Sequence, residues 1–286
     1  MAADVPVCLT IGSSDSSGGA GIQGDIKAFA SVGCYAATVV VGVTAQNTEG
    51  VTGRWTVPVE AVTAQLRAVR DDLPIAAVKV GTTWSPELLA ALAPELAAFA
   101  ARGVPVVVDP VMVTASGSWL SAGTDMVEAV ARDLLPSSVV ITPNRREAGL
   151  LAGADEAGRS RRELAEALAR LGAPTVVITP GPDENGDWFF DGRQHAHLAG
   201  ERHDNAAEHG VGCAHSALTA GLLAHGRSLD AAVREAGARA AAGVRAGLGH
   251  LGARVHPVDV LGLAGRAPWA RDQDVMTRAP HPRTHL

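Results

Sequence analysis

The chain has 286 residues, of which 47% are hydrophobic and 19% are charged, and its formal net charge is -6. This length allows one large α/β domain with a buried core. The acidic balance argues against a nucleic-acid-binding surface, and no apolar run approaches the roughly 20 residues that a membrane span needs. Only two of the 24 basic residues, Lys27 and Lys79, are lysines, so few ammonium groups are available to bind phosphate.

Three cysteines occur in the chain, at Cys8, Cys34 and Cys213. They are too few and too far apart in sequence for a disulfide framework or a CxxC metal site. The first residues, MAADVPVCLTIG, lack the basic and long apolar regions of a secretory signal. These features favour a reducing compartment, and we expect a cytoplasmic protein.

Short apolar runs alternate with Ala-, Leu- and Arg-rich segments of helical period along the chain. This alternation predicts an α/β fold with a mostly parallel central sheet that helices cover on both faces. The apolar runs predict strands at 5–11, 36–43, 76–80, 104–108, 138–141 and 175–178, and a hairpin from 188–191 and 194–198.

Helices are predicted over 20–31, 59–71, 86–101, 124–134, 160–171, 214–224 and 229–246. Ser85 and Ser228 are well placed to cap two of them at the N-terminus. We expect one domain over residues 1–262. Residues 263–286 are rich in Arg, Pro and His, and they predict a flexible tail.

Polar or glycine-rich residues follow each predicted parallel strand. Ligands of open α/β sheets bind at the carboxyl ends of the strands, so these residues predict a binding rim. The segment after the first strand, GSSDSSGGAG, has neither the ending of a Walker A motif nor the GxGxxG spacing of a dinucleotide site. It suits a small polar ligand instead.

A second glycine-rich segment, HGVGCAHS, opens an apolar helix. Gly210 and Gly212 allow backbone N–H groups to converge at the positive end of that helix, which predicts an anion hole. The same dipole would stabilise a Cys213 thiolate, making Cys213 a candidate proton acceptor. Two other interpretations stay open: Cys213 packs as a small hydrophobe, or it forms a zinc site with His209 and His215.

Five blocks of the sequence carry a family resemblance: SDSSGGAGIQGDIKAF, VTAQNTEGV, VVVDPVMVTASG, ITPNRREAGLL and HGVGC. In this order, the chain resembles the hydroxymethylpyrimidine and phosphomethylpyrimidine kinases of thiamin synthesis, in the ribokinase-like superfamily. The resemblance implies a ribokinase-like three-layer α/β/α sandwich. It also implies a homodimer that uses ATP and Mg²⁺ to phosphorylate 4-amino-5-hydroxymethyl-2-methylpyrimidine, and it leaves open whether the monophosphate is a second substrate.

The resemblance assigns the pyrimidine pocket residue by residue. Asp25 and Gln46 match residues that hydrogen-bond the aminopyrimidine, and Val111 matches an apolar wall of the pocket. Two positions depart from the family pattern. Ser13 replaces a glycine, so its side chain is expected to project toward the pyrimidine, and Thr82 replaces a methionine that usually lines the pocket.

On the nucleotide side, the resemblance implies that Glu147 organises magnesium, with Asp109 facing the same region and Asn144 beside the phosphates. Thr179 and Gly181 are the expected ATP-binding turn. Many relatives have Lys-Gly-Gly-His where this chain has Thr-Pro-Gly-Pro, which removes an ammonium from the phosphate region.

The anion hole implied by the resemblance comprises Gly210, Val211, Gly212 and Cys213, with Cys213 as the catalytic base. Val211 replaces a threonine of the family, which removes a hydroxyl near the phosphates. Two alternatives therefore remain beside the pyrimidine kinase. One is pyridoxal kinase activity on the same fold, because Ser13 and Thr82 affect specificity. The other is a pyrimidine-binding regulatory protein with weakened catalysis.

Overall fold

A nine-stranded sheet lies at the centre of the computed structural model, which describes residues 4–112, 124–153, 158–181, 184–201, 203 and 207–266. The strand order is β3-β2-β1-β4-β5-β6-β7-β8-β9. The strands are β1 (Val7–Asp15), β2 (Tyr35–Asn47), β3 (Gly50–Thr56), β4 (Ile75–Val80), β5 (Val106–Val108), β6 (Val140–Ile141), β7 (Val176–Ile178), β8 (Asp187–Phe190) and β9 (His195–Leu198).

The middle of the sheet is parallel and both edges are antiparallel. Strands β2, β1, β4, β5, β6 and β7 pair in parallel, whereas β3 pairs with β2, and β8 with β7 and β9, in antiparallel fashion. The predicted hairpin is thus confirmed as β8 and β9. The parallel arrangement brings the carboxyl ends of six strands to one edge of the sheet.

Helices cover both faces of the sheet. They are α1 (Gly21–Ser31), α2 (Val59–Asp72), α3 (Pro86–Ala101), α4 (Thr124–Ala129), α5 (Arg145–Leu151), α6 (Arg161–Arg170), α7 (Val211–Ala224) and α8 (Leu229–Arg245). One hydrophobic core joins the sheet to α2 through α6, and a second joins it to α1, α7 and α8. The predicted three-layer α/β/α architecture is confirmed.

The apolar character of the strands follows from this double cover. In β5, Val106 and Val108 belong to one core, and Val107 belongs to the other. Successive strand residues point to opposite faces, so a strand covered on both faces is apolar at every position. A charged residue in such a strand must find a partner inside the protein.

Several elements differ from the sequence prediction. β1 and β2 both continue about four residues beyond their predicted ends, because Ser13 pairs with Gly42 and Asp15 pairs with Thr44. β3 and α5 were not predicted. β3 contains two glycines, which weaken the strand pattern, and α5 spans only seven residues.

Two predicted helices also differ in detail. α7 begins at Val211 rather than at residue 214, so the anion-hole residues form its first turn. The segment predicted as a helix over 124–134 is α4 followed by a π-helical turn at Val130–Leu134. No helix in the described part of the chain is long and apolar enough to cross a membrane.

The start of the predicted tail is structured. A 3₁₀ turn spans Leu263–Gly265, and the carboxylate of Asp259 accepts the backbone N–H groups of Leu263 and Ala264, both at 2.8 Å. Residues 267–286, the rest of the predicted tail, lie outside the described residues.

Candidate active site

A buried lysine lies at the centre of the candidate site. Lys79 is on β4 and points toward the layer that contains α1 and α7, with only 1% of its surface exposed. Its Nζ is 2.9 and 3.0 Å from the two carboxylate oxygens of Asp25, and 3.5 Å from Oδ2 of Asp109. A buried ammonium is stable only when it is paired in this way.

The two aspartates reach Lys79 from different elements. Asp25 is on α1, and its Oδ2 also accepts the hydroxyl of Thr10 at 2.5 Å. Asp109 directly follows β5, and its Oδ2 accepts the hydroxyl of Ser216 on α7 at 3.0 Å. The Lys79 ammonium therefore lies between Asp25, which is predicted to bind the pyrimidine, and Asp109, which is predicted to face the magnesium.

This charge cluster lies beside Cys213. Burial raises the pKa of the Cys213 thiol to about 12; the charge of Lys79 and the backbone N–H of Gly21 oppose this rise, and Asp109 and Asp25 add to it. The sequence predicted a dipole-stabilised thiolate, but burial and the two carboxylates outweigh the positive charge. Burial disfavours the Lys79 ammonium, yet its pKa is raised, because Asp25, Cys213 and Asp109 more than compensate. The thiol is thus protonated at neutral pH while the lysine is charged.

Only part of the first turn of α7 has the geometry of an anion hole. Gly210 caps the helix with a φ of 85°, a conformation that favours glycine, and the first helical bond runs from the Ala214 N–H to the Gly210 carbonyl at 2.8 Å. The Val211 N–H donates instead to the carbonyl of Glu208 at 3.2 Å. The N–H groups of Gly212 and Cys213 are therefore better placed than that of Val211 to meet an anion.

The two glycines of this turn have different surroundings. A Cβ on Gly210 would lie 1.9 Å from the carbonyl oxygen of Gly19, whereas a Cβ on Gly212 would meet no atom within 4 Å. Close packing thus requires glycine at 210. At 212, the small residue leaves open space in front of the helix N-terminus, where a ligand can approach.

The two histidines of the alternative zinc site turn away from Cys213. His209 Nε2 is 2.9 Å from Asp15 Oδ2, and His215 Nε2 is 3.0 Å from Asp187 Oδ2. Within the described residues, no group of three or more His, Cys, Asp or Glu side chains is arranged to hold a metal ion. The geometry therefore does not support a zinc site at Cys213.

The nucleotide side is organised by a capping box at the start of α5. Asn144 Oδ1 accepts the Glu147 N–H at 2.9 Å, and the Glu147 carboxylate accepts the Asn144 N–H at 3.0 Å. Glu147 also accepts the Met112 N–H at 3.3 Å, which links α5 to the segment after β5. Glu147 is buried, and Asn144 is partly exposed.

The expected ATP-binding turn lies beside this box. Thr179 forms a parallel bridge with Asn144, and its N–H donates to the Pro143 carbonyl at 3.0 Å. The Gly181 N–H donates to Glu184 at 3.0 Å, and Glu184 also pairs with Arg145 at 2.5 Å. Arg161 is 3.4 Å from the same carboxylate. Pro182, the last residue of the altered motif, lies outside the described residues.

The predicted pyrimidine residues surround the same edge of the sheet. Gln46 is partly exposed near the end of β2, and its Oε1 accepts the hydroxyl of Thr44 at 3.1 Å. Ser13 lies within β1 and is buried, as is Thr82 after β4. Val111, after β5, lines a small cavity with Gly81, Thr83, Pro110, Met112, Met126, Val130 and Leu134.

A larger cavity, of about 220 Å³, lies at the opposite end of the sheet. It is lined by Arg70, Leu73, Pro74, Ile75, Phe99, Arg102 and Val104, near the amino ends of β4 and β5. Arg70 is held there by Asp71 and Glu95. Parallel α/β sheets bind substrates at the carboxyl ends of their strands, so we assign the site to the Lys79 region rather than to this cavity.

Sequence reasoning missed the role of Lys79 and of Ser216. Lys79 did leave a signal, because it is the charged residue of the apolar strand IAAVKV and one of only two lysines in the chain. The other lysine also belongs to this region: Lys27 Nζ donates to the carbonyl of Gly18 at 2.6 Å. Ser216 left no signal, because a serine on a helix usually faces solvent.

The three-layer fold and the site at the carboxyl ends of its parallel strands define a ribokinase-like kinase. The family described as phosphomethylpyrimidine kinase matches residues 15–259. The chain belongs to this family.

Individual relatives agree with the family. Proteins named hydroxymethylpyrimidine/phosphomethylpyrimidine kinase are 44% identical in Rhizobium meliloti and 41% identical in Streptomyces coelicolor. The first match covers 80% of this chain and 87% of the relative, and the second covers 89% and 94%. The structure of a pyridoxal kinase from Staphylococcus aureus, in complex with AMP-PCP and pyridoxal, is similar with a TM-score of 0.79 at 28% identity, covering 90% of this chain and 94% of that one.

Proposed function

We propose that this protein transfers the γ-phosphoryl group of ATP to the hydroxymethyl oxygen of 4-amino-5-hydroxymethyl-2-methylpyrimidine, and then phosphorylates the monophosphate. The observation that carries this proposal is the convergence of Asp25, Asp109 and Cys213 around Lys79 at the start of α7. Sequence relatives above 40% identity are named for the two pyrimidine kinase activities.

Asp25 and Gln46 are the proposed partners of the aminopyrimidine. Lys79 and Thr10 already bond both oxygens of Asp25, which holds the carboxylate in one orientation. Each carboxylate oxygen has more than one lone pair, so Asp25 can still accept a substrate N–H. The Gln46 side chain accepts the Thr44 hydroxyl, and its amide lies near the end of β2.

Cys213 is the proposed acceptor of the hydroxymethyl proton as the oxygen attacks phosphorus. Because its pKa is about 12, the thiolate is the minor form at neutral pH, and the reaction depends on that minor form. Phosphoryl transfer needs mainly positioning and charge stabilisation from the protein. The N–H groups of residues 212 and 213 supply such stabilisation from the first turn of α7.

The residues present fit a magnesium ion. Asp109 directly follows β5, and Glu147 lies in the first turn of α5, which follows the neighbouring strand β6. Magnesium typically binds one or two carboxylates together with phosphate oxygens and water. When bound, the ion offsets the negative charge of the phosphates. Asn144, Thr179 and Gly181 are the proposed nucleotide contacts. Arg145 and Arg161, beside Glu184, are the proposed source of the positive charge that the missing lysine provides elsewhere in the family.

Pyridoxal is a second candidate substrate. The similar Staphylococcus aureus structure is a pyridoxal kinase with pyridoxal bound, and pyridoxal is likewise a small heteroaromatic alcohol. The pyrimidine remains the first candidate, because sequence identity to the pyrimidine kinases is 41–44% against 28% to this pyridoxal kinase.

The proposal is tested with purified protein, ATP and magnesium, offered hydroxymethylpyrimidine, its monophosphate or pyridoxal in separate reactions. ADP release is followed, and pyrimidine binding is measured by calorimetry. We expect turnover of the pyrimidine. Tight pyrimidine binding without ADP release would instead support a regulatory protein and overturn the kinase assignment.

Glu147→Gln is a matched variant for the nucleotide side. Glutamine keeps one acceptor oxygen, which can accept the Asn144 N–H of the capping box, while the charge and the bond from the Met112 N–H are lost. We expect slower turnover with pyrimidine affinity unchanged. If the variant turns over as fast as the unmodified protein, Glu147 has no part in magnesium binding.

A further inference from the structure

Residues 15–21, which we call the glycine loop, pack directly against the start of α7. A Cβ on Gly19 would lie 2.0 Å from the His209 ring, and a Cβ on Gly210 would lie 1.9 Å from the carbonyl oxygen of Gly19. Neither position has room for a methyl group. The loop that follows the first strand and the anion-hole turn are therefore in contact through their backbones.

His209 joins these two segments through its side chain. Its Nε2 is 2.9 Å from Asp15 Oδ2 and 3.1 Å from the hydroxyl of Ser17. The Ser17 hydroxyl donates to the Asp15 carboxylate at 2.8 Å, and the Ala20 N–H donates to Asp15 Oδ2 at 2.8 Å. Since Asp15 and Ser17 meet the same ring nitrogen, this is not the relay arrangement of a hydrolase triad.

The backbone of His209 is also held by hydrogen bonds. Its N–H donates to the His256 carbonyl at 3.1 Å, and its carbonyl accepts the Val258 N–H at 3.2 Å. His209 and Asp15 are both buried. Because Gly210 follows directly, any movement of His209 is passed to the cap of α7.

The glycine loop also reaches Cys213. The backbone N–H of Gly21, the first residue of α1, is among the groups that lower the pKa of the Cys213 thiol. Gly21 has a φ of 57°, and a Cβ there would lie 2.4 Å from the Ser13 carbonyl oxygen, so this turn tolerates only glycine. The N-terminus of α1 thus packs beside the start of α7.

We propose that His209 is a positioning residue that fastens the glycine loop to the start of α7. It thereby fixes the distance and orientation between the pyrimidine side and the anion hole. This role rests on the proposed function for its effect on turnover. A displacement of about 1 Å at reacting atoms can cost about 100-fold in rate, so loss of the fastening should lower kcat by up to that factor.

The test compares His209→Ala and His209→Gln by hydrogen–deuterium exchange and by steady-state kinetics. For His209→Ala, we expect faster exchange in peptides covering 15–21 and 210–216, unchanged exchange in the hairpin at 187–198, and a lower kcat. Glutamine can donate from its amide to Asp15, so His209→Gln should recover part of both effects. His225→Gln, at the far end of α7, is the matched control and should leave the exchange of both segments unchanged.

Two results would overturn this role. Equal acceleration of exchange across the whole chain in His209→Ala would show general destabilisation rather than a local fastening. Multiplicative losses of kcat in the double variant Asp15→Asn/His209→Gln would show that the two residues act independently. The exchange measurement needs no turnover, so it stays decisive even if the pyrimidine proves not to be the substrate.

Discussion

The pyrimidine side and the nucleotide side of the site are built differently. On the pyrimidine side, Lys79 and Asp25 are almost completely buried and bonded to each other, and Lys79 also pairs with the buried Asp109 of the metal side. On the nucleotide side, Asn144 and Thr179 are partly exposed and are held by a capping box and a strand bridge.

This difference matches the departures from the family pattern only in part. Thr179, in the turn after β7, replaces a lysine, and the charged residues Asp25 and Asp109 are retained, but Ser13 and Thr82 are changed on the pyrimidine side. A buried ionic cluster tolerates little change, because removing one partner leaves an unpaired charge in the core. An exposed turn can lose a lysine and use neighbouring arginines instead. We therefore expect large effects from substitutions on the pyrimidine side and small effects from those on the nucleotide side.

The largest expected effect is that of Lys79→Met on stability. It leaves Asp25 and Asp109 buried without their cation, so the free energy of unfolding should fall by about 3–5 kcal/mol, as measured by urea denaturation. Lys27→Met removes the other lysine, which donates to the Gly18 carbonyl, and should cost about 1 kcal/mol. Equal losses in the two variants would contradict the central role of Lys79. The double variant Lys79→Met/Asp25→Asn should be more stable than Lys79→Met alone.

The next largest expected effect is that of Cys213→Ala on the rate of turnover. Removal of a general base typically lowers kcat by about 100-fold or more, whereas the melting temperature should change much less, because alanine keeps the Cβ and removes one sulfur atom. Steady-state kinetics and a thermal melt measure the two effects. If the variant keeps most of its activity, Cys213 is not the base, although the fold and substrate assignments stand.

The protonation state of Cys213 can be measured without turnover. Only the thiolate is alkylated, and below a pKa of about 12 its fraction rises about tenfold per pH unit. The rate of iodoacetamide modification at Cys213, followed by peptide mass spectrometry, should therefore rise without a plateau from pH 7 to pH 10. A plateau below pH 9 would show that Lys79 and the helix dipoles outweigh burial.

The smallest expected effect is that of Asn144→Ala on the nucleotide side. Loss of the cap should cost about 1 kcal/mol of stability and raise the KM for ATP, while the KM for the pyrimidine stays unchanged. Asn144→Asp keeps a capping oxygen and serves as the control for stability. A raised pyrimidine KM in Asn144→Ala would show that the two sides are not separable.

The sequence predicted the layers of the fold better than the details of the site. The six parallel strands were recognisable as short apolar runs, because helices cover both of their faces. Most helices were recognisable from the helical period of their apolar residues. By contrast, α5 was missed because its stability comes from the Asn144–Glu147 capping box rather than from a long apolar face. Motifs also located Cys213, Asp25 and Asp109, but not the ammonium between them, since the partners of Lys79 come from α1 and from the end of β5. Only the folded chain brings those elements together.

The central claim, that the pyrimidine is the substrate, is tested most directly by competition. An equimolar mixture of hydroxymethylpyrimidine and pyridoxal is incubated with the protein, magnesium and limiting ATP, and the two phosphorylated products are quantified by mass spectrometry. At equal concentrations, the product ratio equals the ratio of the two kcat/KM values. We expect pyrimidine phosphate to exceed pyridoxal phosphate by at least about tenfold. An equal amount or an excess of pyridoxal phosphate would contradict the assignment.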